Sequence, residues 1–329
     1  MRILVAGGAG YVGSKLVPAL LEKGYKVTVY DLYLYGDVFK NLEKNENLKQ
    51  IKADLRNFEQ VDKALKKIDA VIHLACISND PSFELDPALG KSINLDAFEP
   101  FVKLAKRNKV KRFIYASSSS VYGIKSEQNV TEDMELEPLT DYSKFKAECE
   151  KILMKYKSDH FVCTALRPAT VCGYAPRQRL DLVVNILANL AYNTGKVKVM
   201  GGDQMRPNIH IDDMVRAYLH VLTAPKAKVQ GEIFNVGYHN HTVLDLGQMA
   251  AKVMGRKRKV QLEIEKSNDN RSYHVNSDKI KKTIGFEPLY NIEKAIEDLF
   301  VAFEKKLLPD ALEDKRYFNI KTMKEAKLS

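Results

Sequence analysis

A glycine-rich loop near the start of the chain limits, more than any other feature, what this sequence can fold into. The run Gly7-Gly8-Ala9-Gly10-Tyr11-Val12-Gly13 follows the apolar stretch 2–6 and precedes a helix-like stretch at 14–23. Glycines at this spacing let the backbone turn sharply and approach a pyrophosphate closely, while the following helix supplies N–H donors and a positive dipole. The sequence therefore predicts a strand, loop and helix that hold a dinucleotide. The expected contacts in the loop are Gly7, Gly10, Tyr11, Val12 and Gly13.

The second apolar run indicates which dinucleotide the loop would hold. The run Val27 to Tyr30 ends at Asp31, about 20 residues after the loop, where an acidic side chain can hydrogen-bond the adenosine ribose. A carboxylate at this position would repel the 2′-phosphate of NADP. We therefore expect NAD as the cofactor, with Asp31 binding its ribose.

Apolar stretches alternate with stretches of helical period through the first half of the chain. The expected strands are 2–6, 26–31, 48–53, 70–76, 112–117 and 161–167, and the expected helices are 12–23, 58–67, 88–108 and 142–157. This alternation is typical of a parallel sheet with right-handed crossovers and helices on both faces. We therefore expect an α/β fold built on a doubly wound parallel sheet of the Rossmann type.

The rhythm of the sequence changes at about residue 171, where smaller and less regular elements begin. The helix candidate 212–223 and the apolar run 232–236 nevertheless suit a return to the first sheet. We therefore expect a smaller, discontinuous C-terminal substrate domain, with a peripheral lysine-rich tail after about 305. The expected domains are 1–170 plus about 211–237 for the cofactor, and about 171–210 plus 238–329 for the substrate.

Composition and charge argue against several classes of protein. The 329 residues carry a formal net charge of +10, but the lysines are spread along predicted helices without the interleaved aromatic side chains of a nucleic-acid surface. No stretch reaches the roughly 18 apolar residues of a membrane span, and the first strand begins too early for a signal peptide. The four cysteines lack metal-ligand spacing and are interpreted as reduced structural thiols. We therefore expect a cytoplasmic protein that binds no nucleic acid, membrane or metal.

Two side chains on one predicted helix carry the chemistry. Tyr142 and Lys146 are four residues apart and share a helical face, and they follow the serine run Ser117 to Ser120 at the end of a strand. A phenol with a pKa of about 10 is a poor base at neutral pH, but an adjacent ammonium and an oxidised nicotinamide both favour the phenolate. Tyr142 is therefore predicted to act as a base beside the cofactor.

Taken in this order and spacing, the motifs resemble the extended short-chain dehydrogenase/reductase family, in the branch that acts on nucleotide sugars. The resemblance runs through the glycine loop, Asp31, Ala53-Asp54-Leu55, His73-Leu74-Ala75, Asn94, the serine run, Tyr142-x-x-x-Lys146 and Leu166-Arg167-Pro168. It implies NAD-dependent oxidation of a nucleotide-diphosphate sugar, most often at C4. In this family Ser118 would hydrogen-bond the reacting sugar oxygen, Tyr142 would take its proton, and Lys146 would hold the nicotinamide ribose and lower the pKa of Tyr142.

The resemblance also implies binding roles for other residues. Beyond the loop and Asp31, the expected cofactor contacts are Asp54, Leu55, Leu74, Ala75, Cys76, Asn94, Tyr142, Lys146 and Pro168. Arg206 and Arg271 match the family arginines that clamp the substrate's diphosphate, for which the guanidinium fork is suited. The remaining expected substrate contacts are Ser119, Ser120, Thr170, Arg177 and Arg179. His73 is interpreted as a satisfied core histidine, and Asn94 as a bridge between backbone groups of neighbouring strands.

Departures from the family pattern bear on the reaction. Members that dehydrate the sugar carry an acidic pair where this chain has Ser119 and Ser120, which cannot ionise usefully. The resemblance therefore disfavours a 4,6-dehydratase and leaves an epimerase or a 4-dehydrogenase, with a 4-keto reductase or a non-catalytic NAD-binding scaffold as alternatives. Thr170 and Pro168 replace an asparagine and a tyrosine common in epimerases, which argues against a standard UDP-glucose 4-epimerase. The stretch 176–185 resembles bacterial sugar epimerases and dehydrogenases linked to surface polysaccharides.

The resemblance further implies a homodimer with a four-helix interface. The two helices from each subunit would be 88–108 and 142–157. The second carries an apolar stripe at helical spacing, formed by Phe145, Cys149, Ile152, Leu153 and Tyr156. Packing within one subunit explains part of this stripe equally well.

Overall fold

A single parallel sheet organises the molecule, as the alternation of apolar and helical stretches predicts. The computed structural model describes residues 1–125, 127–266, 272 and 274–326. The strands of the main sheet are β1 (Arg2–Ala6), β2 (Lys26–Asp31), β3 (Leu48–Lys52), β4 (Ala70–His73), β5 (Arg112–Ala116), β6 (Val162–Pro168) and β10 (Ile233–Val236). Within the described residues these seven strands lie parallel in the order β10-β6-β5-β4-β1-β2-β3. The doubly wound fold is confirmed.

Helices cover both faces of this sheet because its central strands bury apolar side chains on both sides. The helices are α1 (Gly13–Glu22), α2 (Phe58–Leu65), α3 (Asp80–Phe83), α4 (Pro87–Lys91), α5 (Phe98–Arg107), α6 (Asp141–Lys155), α7 (Val183–Thr194), α8 (Ile211–Thr223), α9 (Lys226–Val229), α10 (Val243–Met254), α11 (Asp278–Ile284), α12 (Ile292–Glu304) and α13 (Asn319–Glu325). Val5 of β1 belongs to an apolar cluster with α1 and α8, whereas its neighbour Leu4 belongs to one with α2, α5 and α6.

The second half of the chain contributes smaller sheets and a separate apolar cluster. Its strands are β7 (Thr170–Cys172), β9 (Met205–His210) and β11 (Asn240–Thr242) in one sheet, and β8 (Lys196–Met200) with β12 (Gln261–Glu265) in another. Helices α7, α10 and α12 share one apolar core. As expected, residues 211–236 return to the main sheet, since β10 pairs with β6 and α8 packs beside α1. The division into two domains stays a prediction.

Two predicted elements differ from those observed. The expected strand 70–76 ends at His73, so residues 74–76 form a loop. The expected helix 88–108 is divided into α4, a π-helical turn at Ser92–Asp96 and α5. The wide turn places Asn94 so that both ends of its amide bond the backbone of Ile77, with a nitrogen-to-oxygen distance of 2.8 Å to the Ile77 amide. Asn94 therefore fixes the loop after β4 instead of bridging two strands.

The predicted apolar stripe on α6 packs mainly within the subunit. Cys149 and Leu153 are buried in the main core, and the ring of Phe145 lies 5.5 Å from that of Phe83, centroid to centroid. The Tyr156 hydroxyl donates to the Glu99 carboxylate at 2.5 Å. Of the four cysteines, all are free, and only Cys76 is partly exposed. In the part of the chain that the structure describes, no helix combines the length and hydropathy needed to cross a bilayer.

The C-terminal segment is not peripheral, contrary to the expectation for the tail after about 305. Residues 315–326, here called the C-terminal strap, form a 3₁₀ turn and α13, and they pack across the loop after β4. Asn319 and Met323, four residues apart on one face of α13, are buried and line the main cavity, whereas the lysines of the strap point outward. The many lysines of this segment suggested a peripheral tail, although one face of the segment is buried.

Candidate active site

The main cavity lies at the carboxyl ends of the parallel strands, where open α/β sheets bind their ligands. Its volume is about 380 Å³. Its floor consists of the loops that follow β1, β2, β3, β4, β5 and β6, and its other walls come from the start of α6, β7, α8, the 177–182 segment and the C-terminal strap. Both halves of the chain therefore contribute side chains to one chamber.

The glycine loop is packed so tightly that it admits no side chain at two positions. Gly7 has a φ of +76°, and a Cβ atom there would lie 2.5 Å from the Ala75 nitrogen. At Gly13, a Cβ would lie 2.3 Å from the Gly8 oxygen. Because α1 begins at Gly13 and has no acidic residue in its first turn, its N-terminal dipole points at the loop uncompensated. This cradle fits the pyrophosphate of a dinucleotide.

Tyr11 secures the loop to the second half of the chain. Its hydroxyl donates to the Gly173 carbonyl at 2.6 Å and accepts from the Asn185 amide at 3.0 Å. Tyr11 therefore lines the cavity with its ring, while its polar atom serves the structure.

The end of β2 presents a buried carboxylate. One oxygen of Asp31 accepts from the Ala9 amide at 2.9 Å and the other from the Tyr33 amide at 2.7 Å. Burial raises the pKa of Asp31, and these two hydrogen bonds oppose that effect. Each oxygen keeps a second lone pair, so the carboxylate can still accept a bond from a ribose hydroxyl.

Asp54 lies at the same end of the cavity but is engaged by its neighbour. Its carboxylate forms an ion pair with Arg56 at 2.7 Å. Burial acts to raise the pKa of Asp54, but the hydrogen bonds from Arg56 outweigh it and lower the pKa. Leu55 beside it is buried, so this corner offers a flat apolar and backbone surface of the kind an adenine ring packs on.

Ser118 and Tyr142 come together at the opposite end of the cavity. Ser118 caps a 3₁₀ turn at Ser119–Tyr122, accepting from the Ser120 amide at 3.1 Å, and its hydroxyl oxygen lies 2.8 Å from that of Ser120. Tyr142 lies in the first turn of α6, which Thr140 caps by accepting from the Ser143 amide at 3.3 Å. Both side chains line the cavity, and a hydrogen bond from Ser118 stabilises the Tyr142 phenolate.

Lys146 lies one layer behind Tyr142 and is not on the cavity wall. Its side chain is only 3% exposed, and its ammonium donates to the Ala116 carbonyl at 2.6 Å. The Nζ atom is 5.7 Å from the centroid of the Tyr142 ring and 5.0 Å from that of Tyr115. The predicted pairing on one helix face is thus present, with the ammonium held at the end of β5.

Burial controls the ionisation of Tyr142 in the structure. It raises the pKa of the phenol well above its usual value, and the nearby Cys76 and Asp80 act in the same direction. Arg179 and the hydrogen bond from Ser118 lower the pKa, but they do not overcome burial. The phenol is therefore protonated without the cofactor, and the additional positive charge of an oxidised nicotinamide is needed to make it a base.

Two buried arginines close the cavity from the side of the second half of the chain. Arg177 is 4% exposed and its guanidinium lies 3.6 Å from the centroid of the Tyr35 ring, while Arg179 is 9% exposed and donates to Asp181 at 2.9 Å. Burial lowers the pKa of Arg177 to about 10. In the described part of the chain, Nε and Nη1 of Arg177 and Nη2 of Arg179 have no hydrogen-bond partner. Both arginines line the cavity, so an anionic group of a bound ligand could accept hydrogen bonds from these donors.

The comparisons with known proteins agree with this geometry. The model of the NAD dependent epimerase/dehydratase family matches residues 3–237. The chain belongs to this family. A UDP-glucose 4-epimerase of Lactobacillus helveticus is 28% identical over 96% of this chain and 100% of its own, and a dTDP-glucose 4,6-dehydratase of Streptomyces niveus is 27% identical over 88% of each. The solved UDP-glucuronic acid 4-epimerase of Bacillus cereus, in complex with UDP-glucuronic acid and NAD, matches with a TM-score of 0.83 and 27% identity, covering 93% of this chain and 100% of that one.

Membership of this family confirms the resemblance found in the sequence, including NAD as the cofactor. Most residues named from that resemblance line the one cavity. From the cofactor group these are Gly7, Gly10, Tyr11, Val12, Gly13, Asp31, Asp54, Leu55, Leu74, Ala75, Cys76, Tyr142 and Pro168, and from the substrate group Ser119, Ser120, Thr170, Arg177 and Arg179. The individual roles of these residues stay predictions, which are based on the order of the family's motifs along the chain.

Three of the named residues lie elsewhere, and a fourth is outside the described residues. Asn94 and Lys146 form the layer behind the cavity wall, where they bond the loops that follow β4 and β5. Arg206 lies on β9 outside the cavity lining, and its guanidinium donates to the Met205 carbonyl at 3.1 Å. Arg271 lies outside the described residues.

His73 is a core histidine, but it is not satisfied as expected. Its ring lies 5.1 Å from that of Phe101 and 5.3 Å from that of Phe98, and its Nδ1 atom has no partner in the described part of the chain. Burial, reinforced by the charge of Lys146, lowers the pKa of His73 to about 3. The imidazole is therefore neutral and takes no part in proton transfer at neutral pH.

A second cluster of ionisable groups lies away from this cavity. His210, Asp212 and Asp298 bring ligand atoms within 4.8 Å of one another. His210 caps α8 by accepting from the Asp212 amide, Lys15 pairs with Asp212, and Lys294 pairs with Asp298. The cluster is thus a helix cap with balanced charges.

Sequence analysis missed several cavity residues. Tyr35 follows Asp31 by four positions, so the turn after β2 gave a signal that it would lie near the ribose end. Ser78 and Asn79 belong to the loop that the expected strand 70–76 and helix 88–108 left undescribed. Asn319 and Met323 carried no motif, because their position depends on contacts with residues more than a hundred positions away.

Proposed function

We propose that this protein is an NAD-dependent C4 epimerase of a nucleotide-diphosphate sugar. The observation that carries the proposal is the placement of Ser118 and Tyr142 on the wall of the cavity that also contains the glycine cradle and Asp31. A phenol beside a hydroxyl, with an ammonium behind it, is suited to remove a proton from a sugar alcohol. The relatives that act on UDP-sugars and dTDP-sugars support the substrate class.

The protein's part in the reaction is to hold the sugar and move one proton. Ser118 would orient the C4 hydroxyl, and the phenolate oxygen of Tyr142 would accept its proton. Lys146, held by the Ala116 carbonyl, would stabilise that phenolate and bond the nicotinamide ribose. NAD, when bound beside Tyr142, would supply the acceptor for the hydride from C4 and the donor for its return in the other epimer. In that return Tyr142 would give its proton back to the sugar oxygen.

The charge of the cavity wall argues against dehydration. Elimination of water across C5 and C6 needs a further acid and base beside those carbons. Among the described residues that line the cavity, the acidic ones are Asp31 and Asp54, both at the adenosine end. Ser119 and Ser120 occupy the wall beside Ser118, and neither ionises usefully.

The enclosure of the cavity favours epimerisation over net dehydrogenation. A 4-dehydrogenase must release reduced cofactor after each turnover, whereas an epimerase regenerates it in place. Arg177 bonds Asn319 of the C-terminal strap and stacks on Tyr35, so the strap and the 177–181 segment cover part of the cavity. A cofactor enclosed in this way suits a reaction without cofactor exchange.

The decisive test replaces the base. Tyr142→Phe removes only the hydroxyl and should lower kcat by about 100- to 10,000-fold, the usual contribution of general acid–base catalysis. The measurement is turnover of UDP-glucose, UDP-glucuronic acid and dTDP-glucose, followed by chromatography of the sugars and by absorbance of reduced cofactor. Interconversion of C4 epimers without accumulating NADH supports the proposal, and stoichiometric NADH with release of a keto sugar would replace it with a dehydrogenase.

Tyr192→Phe is the matched control for this test. It removes the same atom from a tyrosine on α7 whose hydroxyl bonds Glu304, away from the cavity. It should leave turnover unchanged. Retention of wild-type turnover by Tyr142→Phe would contradict the assigned base, and an unmodified protein that binds NAD but turns over no sugar nucleotide would indicate a scaffold.

Two broader assignments rest on the family resemblance alone. We propose a role in surface polysaccharide synthesis from the likeness of residues 176–185 to enzymes of that kind. We also propose a homodimer formed through α5 and α6, although the apolar stripe on α6 packs largely within the subunit. Light scattering at micromolar concentration would contradict the dimer if it detected monomer alone.

A further inference from the structure

The environment of Arg177 is incomplete in the protein alone. Its Nη2 donates to the Asn319 side-chain oxygen at 2.5 Å, and the face of its guanidinium covers the Tyr35 ring. Its Nε and Nη1 have no hydrogen-bond partner in the part of the chain that the structure describes. Buried donors on a charged group are costly when they are unpaired. A ligand that accepts from both would complete this site.

The position of Arg177 indicates which part of the ligand it would meet. Its backbone amide donates to the Ser14 hydroxyl, in the first turn of α1, at 3.3 Å. Its charge acts on the ionisation of both Asp31 and Tyr11, at the end of β2 and in the glycine loop. Arg177 therefore lines the cavity close to the start of α1 and within electrostatic reach of the ribose carboxylate.

The closing segment, residues 177–181, carries one more positive than negative charge. Arg177 and Arg179 are both more than nine-tenths buried, and Asp181 neutralises only one positive charge through its bond to Arg179. A second buried cation without a bonded carboxylate is stabilised when a phosphate enters. Arg179 keeps the bond to Asp181 and also acts on Tyr142, whereas Arg177 has no carboxylate bonded to its guanidinium among the described residues.

We propose that Arg177 is a side-chain clamp for the pyrophosphate of NAD, and that Asn319 of the C-terminal strap is the residue that positions it. The glycine loop would bind one side of the pyrophosphate with backbone N–H groups, and Nε and Nη1 of Arg177 would bind the other. Asn319 fixes the guanidinium through Oδ1, and it is itself held by its side-chain nitrogen on the Ser78 hydroxyl at 2.8 Å and its amide on Asp181 at 2.9 Å. This proposal rests on the NAD dependence within the proposed function, and it adds a positioning residue, Asn319, from outside the residues that the family model matches.

The experiment measures binding without any sugar substrate. The full chain, freed of bound nucleotide, is titrated with adenosine, ADP-ribose and NAD. All three contain adenine and its ribose, but only ADP-ribose and NAD contain the pyrophosphate. For Arg177→Met, loss of the charge-assisted bonds should weaken ADP-ribose and NAD by about 10- to 100-fold, and adenosine by less than about 3-fold. Arg177→Lys, which keeps the charge and loses the fork, should give an intermediate loss.

A positioning role for Asn319 makes a separate prediction. Asn319→Ala leaves Arg177 in the chain but releases it, so ADP-ribose should weaken by roughly 3- to 10-fold, again without an effect on adenosine. Arg316→Met is the matched control, because Arg316 lies on the same strap but is exposed and pairs with Asp314. It should bind all three ligands as the unchanged protein does.

Several outcomes would overturn the clamp. Equal losses for adenosine and ADP-ribose would show that Arg177 only holds the fold, and wild-type affinity of Arg177→Met for ADP-ribose and NAD would show that Arg177 does not bind the pyrophosphate. If Arg177→Met does not fold, Arg177→Lys and Asn319→Ala decide by the same adenosine comparison. The clamp is measured by the binding of ADP-ribose and adenosine and the proposed catalysis by turnover of a sugar nucleotide, so failure of one and failure of the other are distinguishable.

Discussion

The floor and the cover of the cavity are built by different means. The floor, comprising the glycine loop and Asp31, uses backbone groups of residues close in sequence, such as the Ala9 amide that Asp31 accepts from 22 positions away. The cover, comprising residues 177–181 and the C-terminal strap, uses long side chains that meet across the fold, as Arg177 and Asn319 do from 142 positions apart. The glycine loop leaves no room for a Cβ at Gly7 or Gly13, whereas the arginines of the cover keep donors without a partner among the described residues. The floor therefore selects the class of ligand, and the cover governs how that ligand is retained.

The largest effect is expected from a substitution in the glycine loop of the floor. Gly7→Ala would place a Cβ 2.5 Å from the Ala75 nitrogen at a φ of +76°. Relief of that overlap must displace the loop by a large part of an ångström, and misplacement of this size commonly costs about 100-fold in binding or rate. We expect NAD retention to fall by at least that factor, measured as cofactor per chain after dialysis.

Gly24→Ala is the matched control for the floor. Gly24 has nearly the same backbone angle, with a φ of +75°, but nothing lies within 4 Å of the Cβ that alanine would add. It should cost about 1–2 kcal/mol of unfolding free energy for the left-handed conformation and leave NAD bound. Equal loss of NAD in both variants would show that the backbone angle, and not the close approach to Ala75, determines the cradle.

A second, smaller effect is expected at the reacting end of the floor. Lys146→Met removes the ammonium that stands 5.7 Å from the Tyr142 ring centroid, so the phenolate loses stabilisation and the pKa of Tyr142 rises further. Below that pKa the phenolate fraction increases tenfold per pH unit, so kcat/KM should rise with pH in both proteins and the variant's profile should lie at higher pH. At pH 7 we expect a loss of roughly 100-fold, measured from pH–rate profiles with a fixed sugar nucleotide.

Lys144→Met controls for loss of a lysine from the same helix. Lys144 is exposed and pairs with Asp141, so its removal should leave the pH profile in place.

Arg179→Met tests whether the cover also affects the base, because Arg179 belongs to the cover and lowers the pKa of Tyr142. A larger shift for Arg179→Met than for Lys146→Met would show that the cover tunes the base as well as holding ligand, and unchanged profiles for both would contradict electrostatic control of Tyr142.

The same contrast explains how much could be predicted from the sequence. The floor was predictable because each part lies in a short window: glycines 7, 10 and 13 with their flanking strand and helix, Asp31 at a strand end, and Tyr142 with Lys146 on one helical face. The parallel sheet was predictable for the same reason, since its strands and crossover helices recur locally. The division of the helix at 88–108 was not, because a π-helical turn is stabilised by the bond between Asn94 and Ile77, which only the folded chain brings together.

The cover could not be derived from local patterns. Arg177 and Arg179 were named as sugar-nucleotide ligands from their position in a motif, but the partners that orient them, Asn319 and Asp181, follow from tertiary contacts. The outward lysines of the strap dominated its composition and suggested a peripheral tail. A sequence window contains no information about which distant segment will neutralise or position a buried charge.

The smallest predicted effect lies beneath the floor, at His73. The unfolded histidine titrates near 6.5, whereas burial holds the folded pKa at about 3, so between these values the unfolded chain binds one more proton. The contribution of neutral His73 to stability is complete above about pH 6.5 and is lost as the pH falls toward 3. At pH 5 the loss is about 2 kcal/mol.

His73→Leu removes the titrating group and the unpartnered Nδ1. The free energy of unfolding should therefore be nearly unchanged at pH 7 and higher than that of the unchanged chain by about 2 kcal/mol at pH 5, as measured by urea unfolding. His73→Gln, which is polar but does not titrate, separates this effect from packing: if both variants keep the acid sensitivity of the unchanged chain, the neutral buried imidazole is not its source, and the layer under the cradle tolerates charge better than its aromatic walls imply.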